Sequence, residues 1–329
     1  MSKNDQLIGI SSAMHFLMDG LCICCMYLLA PGFETGVVLG AVLTYNILAF
    51  MYQPLTGILA DRMEQRHWLL LMSALLLTVA VAMASLTGKV EWMITLVAIV
   101  LGAGNSLFHV WGGKQTVVKM GNDIRALGVF VSTGALGLAV GLVFCSWVLL
   151  YGLLLAFVVL AVTYVRWDLD DTGGQAPLCS ASCAQDGACP RVSRVAAMTP
   201  VTIWTFVVLL MLCVCYRSYA GEVFSHGIAK SHSLILTIGA VAMLGKMAGG
   251  WIARWMGILP SVMVILAGVA LCFLFRNDLW VLLLGIFLMN CTMPITLYLA
   301  NLLLPKREGL AFGLLAAALI PGYLLATYL

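Results

Sequence analysis

The sequence predicts an all-α membrane protein whose chain crosses the bilayer about eleven times. Three observations predict it. Of 329 residues, 63% are hydrophobic and only 9% are charged, against about 25% charged in soluble domains, so there is too little charge to clothe a water-facing surface. The apolar residues gather into runs close to the ~20 residues a helix needs to cross the hydrocarbon. Lys and Arg are abundant in one set of alternate loops and scarce in the other, as short loops on opposite sides of a membrane require.

Charged or Gly/Pro-rich breaks bound each run. The first, near 7–30, follows a short polar N-terminus and has no small-residue cleavage site, so it is expected to be a span and not a removable leader. The second, near 36–60, stops at Asp61-Arg62, and the third, near 68–87, lies between His67 and Lys89. The fourth, near 92–111, stops before Gly112-Gly113-Lys114. The fifth, near 124–146, starts after Asp123, and the sixth, near 148–165, stops at Arg166. Five more lie near 201–221, 233–253, 259–275, 279–303 and 310–328. Between the two sets, 168–199 is polar, rich in Gly, Ser and Ala, and without helical periodicity. The expected organisation is an N-terminal six-helix bundle over 1–167, a linker over 168–199 and a five-helix bundle over 200–329.

With the N-terminus inside, the cytoplasmic side receives Lys3, Arg62, Arg66, Lys114, Lys119, Arg125, Arg166, Arg191, Arg194, Arg254, Lys306 and Arg307, and the outside only Lys89, Lys230 and Arg276. This places the chain in the cytoplasmic (inner) membrane with the linker in the cytoplasm. The net charge of +3 is small and forms no basic patch, so no nucleic-acid partner is expected, and a monomer in the lipid bilayer is. Most of the eleven cysteines sit in apolar runs, where they act as small hydrophobes. Cys179, Cys183 and Cys189 stand in the linker without an adjacent fourth ligand; neither a metal nor a cofactor is expected.

Span two ends in Gly57-Ile58-Leu59-Ala60-Asp61-Arg62-Met63-Glu64-Gln65-Arg66, and span eight ends in a weaker echo, Gly250-Trp251-Ile252-Ala253-Arg254-Trp255, with Gly257 after it. The first resembles the signature G-x-L-A-D-R-x-G-R-[RK] of the major facilitator superfamily of secondary transporters. Glu64 and Gln65 depart from it, and Arg254 stands where the second copy should have an acid. The resemblance implies a two-bundle helical fold, of which twelve spans are usual and eleven are counted here. It also implies gating by Gly57, Asp61, Arg62, Arg66 and Arg254. A carboxylate at a helix end can latch onto a neighbouring helix N-terminus in one arrangement of the bundles and release it in the other. Residues 15–20, beginning His15 and ending Asp19-Gly20, and 102–109, containing Asn105 and His109, resemble the fosmidomycin-resistance branch of drug exporters, which implies efflux by an antiporter.

An ionisable group deep in the bilayer usually faces a wet cavity or a partner. His15 and Asp19 share a face one turn apart, as do Asn105 and His109. Arg217 and Lys246 are the basic residues left inside spans. With Tyr45 and Asn46 of span two, these form the expected substrate-binding set, while Asp19 and Glu222 are the expected proton carriers. The positive excess of Arg217 and Lys246 over Asp19 suits a small anionic or zwitterionic solute, with H+ as coupling ion. Two other readings stay open: Asp19 and Lys246 as a structural ion pair, and an intramembrane enzyme or metal-binding protein using His15, Asp19 and His109. No HExxH, P-loop, GxSxG or dinucleotide fingerprint supports an enzyme or an ATP-driven pump.

Overall fold

The computed structural model describes residues 3–63, 67–86, 90–169, 198–225, 231–275 and 278–328. With no water available to backbone N–H and C=O groups in a bilayer, a chain this apolar must satisfy them within its own helices. The described residues form thirteen helices: α1 (Lys3–Leu29), α2 (Thr35–Asn46), α3 (Gln53–Arg62), α4 (Trp68–Leu86), α5 (Glu91–Met120), α6 (Ile124–Val143), α7 (Trp147–Leu169), α8 (Pro200–Ser225), α9 (His232–Met256), α10 (Ile258–Leu274), α11 (Leu279–Leu303), α12 (Glu308–Ala317) and α13 (Leu319–Tyr328). A π-helical turn, Ile47–Met51, joins α2 to α3 in one long span, and α12 and α13 form one broken span. Ten of the resulting spans are long and apolar enough to cross a membrane, and α10 is a shorter apolar helix.

Local chemistry sets the helix starts. The Asp123 carboxylate accepts from the Arg125 N–H to cap α6, the Ser231 hydroxyl accepts from Leu234 N–H to cap α9, and the Asp278 carboxylate accepts from Trp280 and Val281 N–H to cap α11. α5 ends at Gly121 in the left-handed region (φ 59°), and α9 ends at Gly257 (φ 86°), another backbone conformation that an L side chain rarely adopts.

Three spans depart from expectation. Span four continues to Met120 through Gly112 and Gly113, because these glycines are not solvent breaks: a side chain on either would run into the Phe130 or Phe312 ring. Lys114 therefore lies on a helix and not on a free rim. Span two carries the π-helical turn, which nothing in its composition announces. The last span breaks at Ala318, three residues before Pro321, whose ring clashes with the carbonyl four residues back and whose nitrogen offers no hydrogen. Pro294 leaves α11 continuous.

Two apolar cores form. One is built chiefly from α1, α4, α5, α6 and α7, the other from α8, α9, α10 and α11. The halves meet mainly along two helix pairs, α6 against α9 and α3 against α12. Both contacts depend on glycine. Gly128 of α6 lies against the Lys246 carbonyl, Gly239 of α9 against Ala139, and Gly250 against Ile124 and Arg125, while Gly57 and Gly309 bring α3 and α12 into backbone contact.

Candidate functional site

Between the halves lies a cavity of about 200 Å³. The first half lines it with His15 and Asp19 of α1, Phe50 of the π-helical turn, Gln53 of α3, His109 of α5 and one face of α6. The second half supplies Arg217 of α8, Lys246 of α9, Met293, Thr296 and Leu297 of α11, and residues of α12 and α13, including Phe312 and Leu319. Five of the eight residues expected to bind solute, namely His15, Asp19, His109, Arg217 and Lys246, converge here. Tyr45, Asn46, Asn105 and Glu222 are not in the lining. The Asn105 amide donates to the Tyr45 hydroxyl at 3.0 Å and ties α5 to α2 behind the site. The Asn46 amide donates to its own helix at the Val42 carbonyl, 2.9 Å. Glu222 lies near the far end of α8.

The histidines carry the chemistry of the first half. His15 Nδ1 lies 2.8 Å from the Phe130 carbonyl, and His109 Nδ1 lies 3.0 Å from the Asn105 carbonyl. A carbonyl only accepts, so each Nδ1 carries hydrogen, and in a neutral imidazole each Nε2 is then a bare acceptor. The two Nε2 atoms are 3.0 Å apart, and the Asp19 oxygens lie 3.3 Å from His15 Nε2 and 3.4 Å from His109 Nε2. Three acceptors at this separation repel one another unless a proton or a cation lies among them. Gly134 of α6 makes the room, since a side chain there would overlap Asp19 and His15.

Among the described residues, Arg217 and Lys246 of the second half have no such ion-pair partners. Arg217 is 8% exposed, and its Nη1 is buried without a hydrogen-bond partner. Asp19 pairs with the two histidines, and among the described residues no salt bridge within 4 Å joins it to Lys246. Gln53, polar enough in the sequence of span two to line a cavity, is in the lining: its Nε2 donates to the Ala49 carbonyl at 2.6 Å, which leaves Oε1 a buried acceptor without a partner among the described residues. Burying a polar atom unpaired costs about 1–3 kcal/mol, so two residues of the lining carry an unmet hydrogen-bonding demand.

His15, Asp19 and His109 also offer three ligand atoms within 4.8 Å of one another, a spacing that can hold a metal ion. The second half argues against that occupant. A divalent cation would raise the charge of a cavity that already holds Arg217 and Lys246 against one carboxylate, whereas a proton adds a single charge.

At the end of the molecule that bears the start of α1, a cluster of polar contacts ties the halves together. Asp61 at the end of α3 accepts from Gly309 N–H and Leu310 N–H, each at 2.9 Å, at the start of α12. Lys114 of α5 donates to the Ala60 carbonyl at 2.6 Å and lies 3.4 Å from the same carboxylate. Lys114 is a latch residue that sequence reasoning assigned to the rim. Arg62 is exposed beside the latch, and Arg66 falls outside the described residues, as do Cys179, Cys183 and Cys189. Above the latch the Phe312 ring fills the space over Gly113 and reaches Phe130, ring centroids 6.3 Å apart. At the α6–α9 contact, burial opposes ionisation of Asp123, but hydrogen bonds from Arg125 and the charges of Arg125 and Arg254 outweigh it and hold the carboxyl below its usual range. Arg254, at the end of α9, thus faces an acid that sits on the partner helix.

No family model matches the sequence, and no curated protein sequence does either. Solved structures do match. A variant of the Escherichia coli fucose:proton symporter FucP aligns with 99% of this chain and 91% of its own at 14% identity, TM-score 0.67. FucP in an outward conformation, a major facilitator superfamily transporter, aligns over the same shares at 13% identity, TM-score 0.68. The human organic anion transporter MFSD10 (TETRAN) aligns with 100% of this chain and 94% of its own at 16% identity, TM-score 0.68. With ten helices long and apolar enough to cross a membrane, the chain has the all-α, multi-pass fold of the major facilitator superfamily, and these structural neighbours are transporters by name.

Proposed function

We propose that this protein carries a small organic anion together with a proton across the cytoplasmic membrane by alternating access. The halves 1–167 and 200–329 rock about the cavity, and 168–199 is the cytoplasmic linker. The observation that carries the reading is the opposition, within one cavity, of the three crowded acceptors His15, His109 and Asp19 to the unpaired cations Arg217 and Lys246. The first group calls for a proton and the second for an anion. The basic face is then cytoplasmic, and the Asp61 latch closes that side.

The charge sum also sets the sense of coupling. A proton on the histidine–aspartate group raises the positive charge of the site that holds the anion, so each ligand improves the affinity of the other, and by linkage the effect is reciprocal. Cotransport follows, in place of the antiport and drug efflux that the sequence resemblance implied. One structural neighbour is a proton symporter and another an organic anion transporter by name, which supports the reading without fixing the solute.

Proteoliposomes offered a panel of radiolabelled organic anions under an inward proton gradient test it. Arg217→Ala and Lys246→Ala should each weaken anion handling by about 2 kcal/mol or more, roughly 30-fold, with the folded protein retained in detergent. Asp19→Asn should abolish the dependence on the gradient. Unchanged accumulation in both cation variants would remove the anion reading. Full gradient-driven transport by Asp19→Asn would move the proton to another residue.

A further inference from the structure

The cavity constrains its anion more narrowly than charge alone does. Its cations lie on the second half, at Arg217 and Lys246, and its orphaned acceptor, Gln53 Oε1, lies on the first. The amide of Gln53 is not free to turn round: its nitrogen is held by the Ala49 carbonyl at 2.6 Å, and a carbonyl cannot donate to an oxygen in its place. Much of the remaining lining is apolar, with Phe50, Met293, Leu297, Phe312 and Leu319 among it. The volume, about 200 Å³, is of the order of an apolar protein cavity of ~150 Å³ that takes up one benzene.

From this arrangement we infer that the site is built for an organic anion with an apolar body of about one six-membered ring, carrying besides its acid group one hydroxyl or amino hydrogen for Gln53 Oε1. The inference rests on the anion reading above and adds two requirements to it, the apolar body and the donor. A bare inorganic anion satisfies Arg217 and Lys246 but leaves the apolar wall against water and Gln53 unpaired. A neutral ring with a hydroxyl fills the wall and leaves Arg217 Nη1 buried and unsatisfied. The acid group belongs at the α8–α9 side and the donor at the π-helical turn, so the ligand bridges the halves.

Binding to the purified full-length protein, measured by thermal shift and calorimetry, separates these requirements. The probes are acetate, inorganic phosphate, phenol, benzylamine, benzoate and the three monohydroxybenzoates. Benzoate is expected to bind at least about tenfold more tightly than acetate or phosphate. The best-placed hydroxybenzoate is expected to gain about threefold to tenfold over benzoate. In Gln53→Met the hydroxybenzoate-to-benzoate ratio should return to one. Because the ratio is taken within a single variant, any loss of folded protein cancels.

Acetate or phosphate binding as tightly as benzoate would overturn the apolar-body requirement while leaving the anion reading intact. Three hydroxybenzoates no better than benzoate, or a preference that survives Gln53→Met, would overturn the donor requirement. Tighter binding of benzylamine or phenol than of every anion would overturn the anion reading itself, and this inference with it.

Discussion

Because the Phe130 and Asn105 carbonyls each take the Nδ1 hydrogen of a histidine, the inward nitrogens of His15 and His109 are left as acceptors facing Asp19. Gly134 guards that arrangement from α6. Gly134→Ala should push Asp19 and His15 out of register at an overpacking cost of about 1–3 kcal/mol. Gradient-driven transport should then fall while the protein still elutes as a single species in detergent; full coupling with an unchanged melting temperature would mean that the group tolerates displacement. At this scale the sequence was informative where position alone sufficed. Charges at bilayer depth are costly wherever they point, so Asp19, Arg217 and Lys246 stood out before any contact was known. Tyr45 and Asn105 looked equally polar, yet the Asn105 amide hydrogens go to Tyr45 and Cys22 behind the cavity, and no pattern within one helix announces a partner on another. Gln53 illustrates the reverse. Only its bond to the Ala49 carbonyl, made where the π-helical turn gives way to α3, leaves its buried oxygen an unpaired acceptor among the described residues.

The gate is a property of whole elements. Asp61 sits at the end of α3 and caps α12 through two backbone N–H groups, and the Gly57–Gly309 contact lets the helices come close enough for this to happen. A carboxylate at a helix N-terminus contributes about 0.3–2 kcal/mol. Asp61→Asn should therefore shift the balance toward an open cytoplasmic side by up to about 30-fold, read as faster labelling of a cysteine placed in the cavity by a reagent added from the cytoplasmic face. Labelling that stays slow would mean the apolar plug of Phe312 closes the path without the latch. Gly313→Leu on α12, where a side chain meets the Gln53 and Pro54 backbone, should hold the same side open more strongly. The Asp61 motif was legible because its spacing fixes it at a helix end. Lys114 was not, because its role depends on α5 running unbroken through Gly112 and Gly113. The π-helical turn was not either, since one wider turn leaves the apolar character of a span unchanged.

Over the whole molecule, apolar runs were enough to place ten spans and the shorter apolar helix α10, because the bilayer permits few other ways to satisfy a backbone. How the halves face each other was beyond the reach of composition, since it depends on glycines meeting across α6–α9 and α3–α12. Numbering by spans, these contacts are five with eight and two with eleven, and a shift of six spans between the halves exchanges one pair for the other. At the α6–α9 contact the carboxylate is on the receiving helix: Asp123 caps α6 and pairs with Arg125, and Arg254 at the end of α9 adds to the positive field it feels. Such matched hinges suit a rocking motion around a fixed central site.

The most direct test of that account follows both ligands in one vesicle. Benzenesulfonate stays charged and does not cross lipid unaided, so it can be offered to proteoliposomes that enclose a pH-sensitive dye and start without a pH gradient. Its entry should acidify the lumen, and Asp19→Asn should remove the acidification. Benzenesulfonate entering with no proton, or acidification unchanged in Asp19→Asn, would contradict the claim that anion and proton share the cavity between the halves.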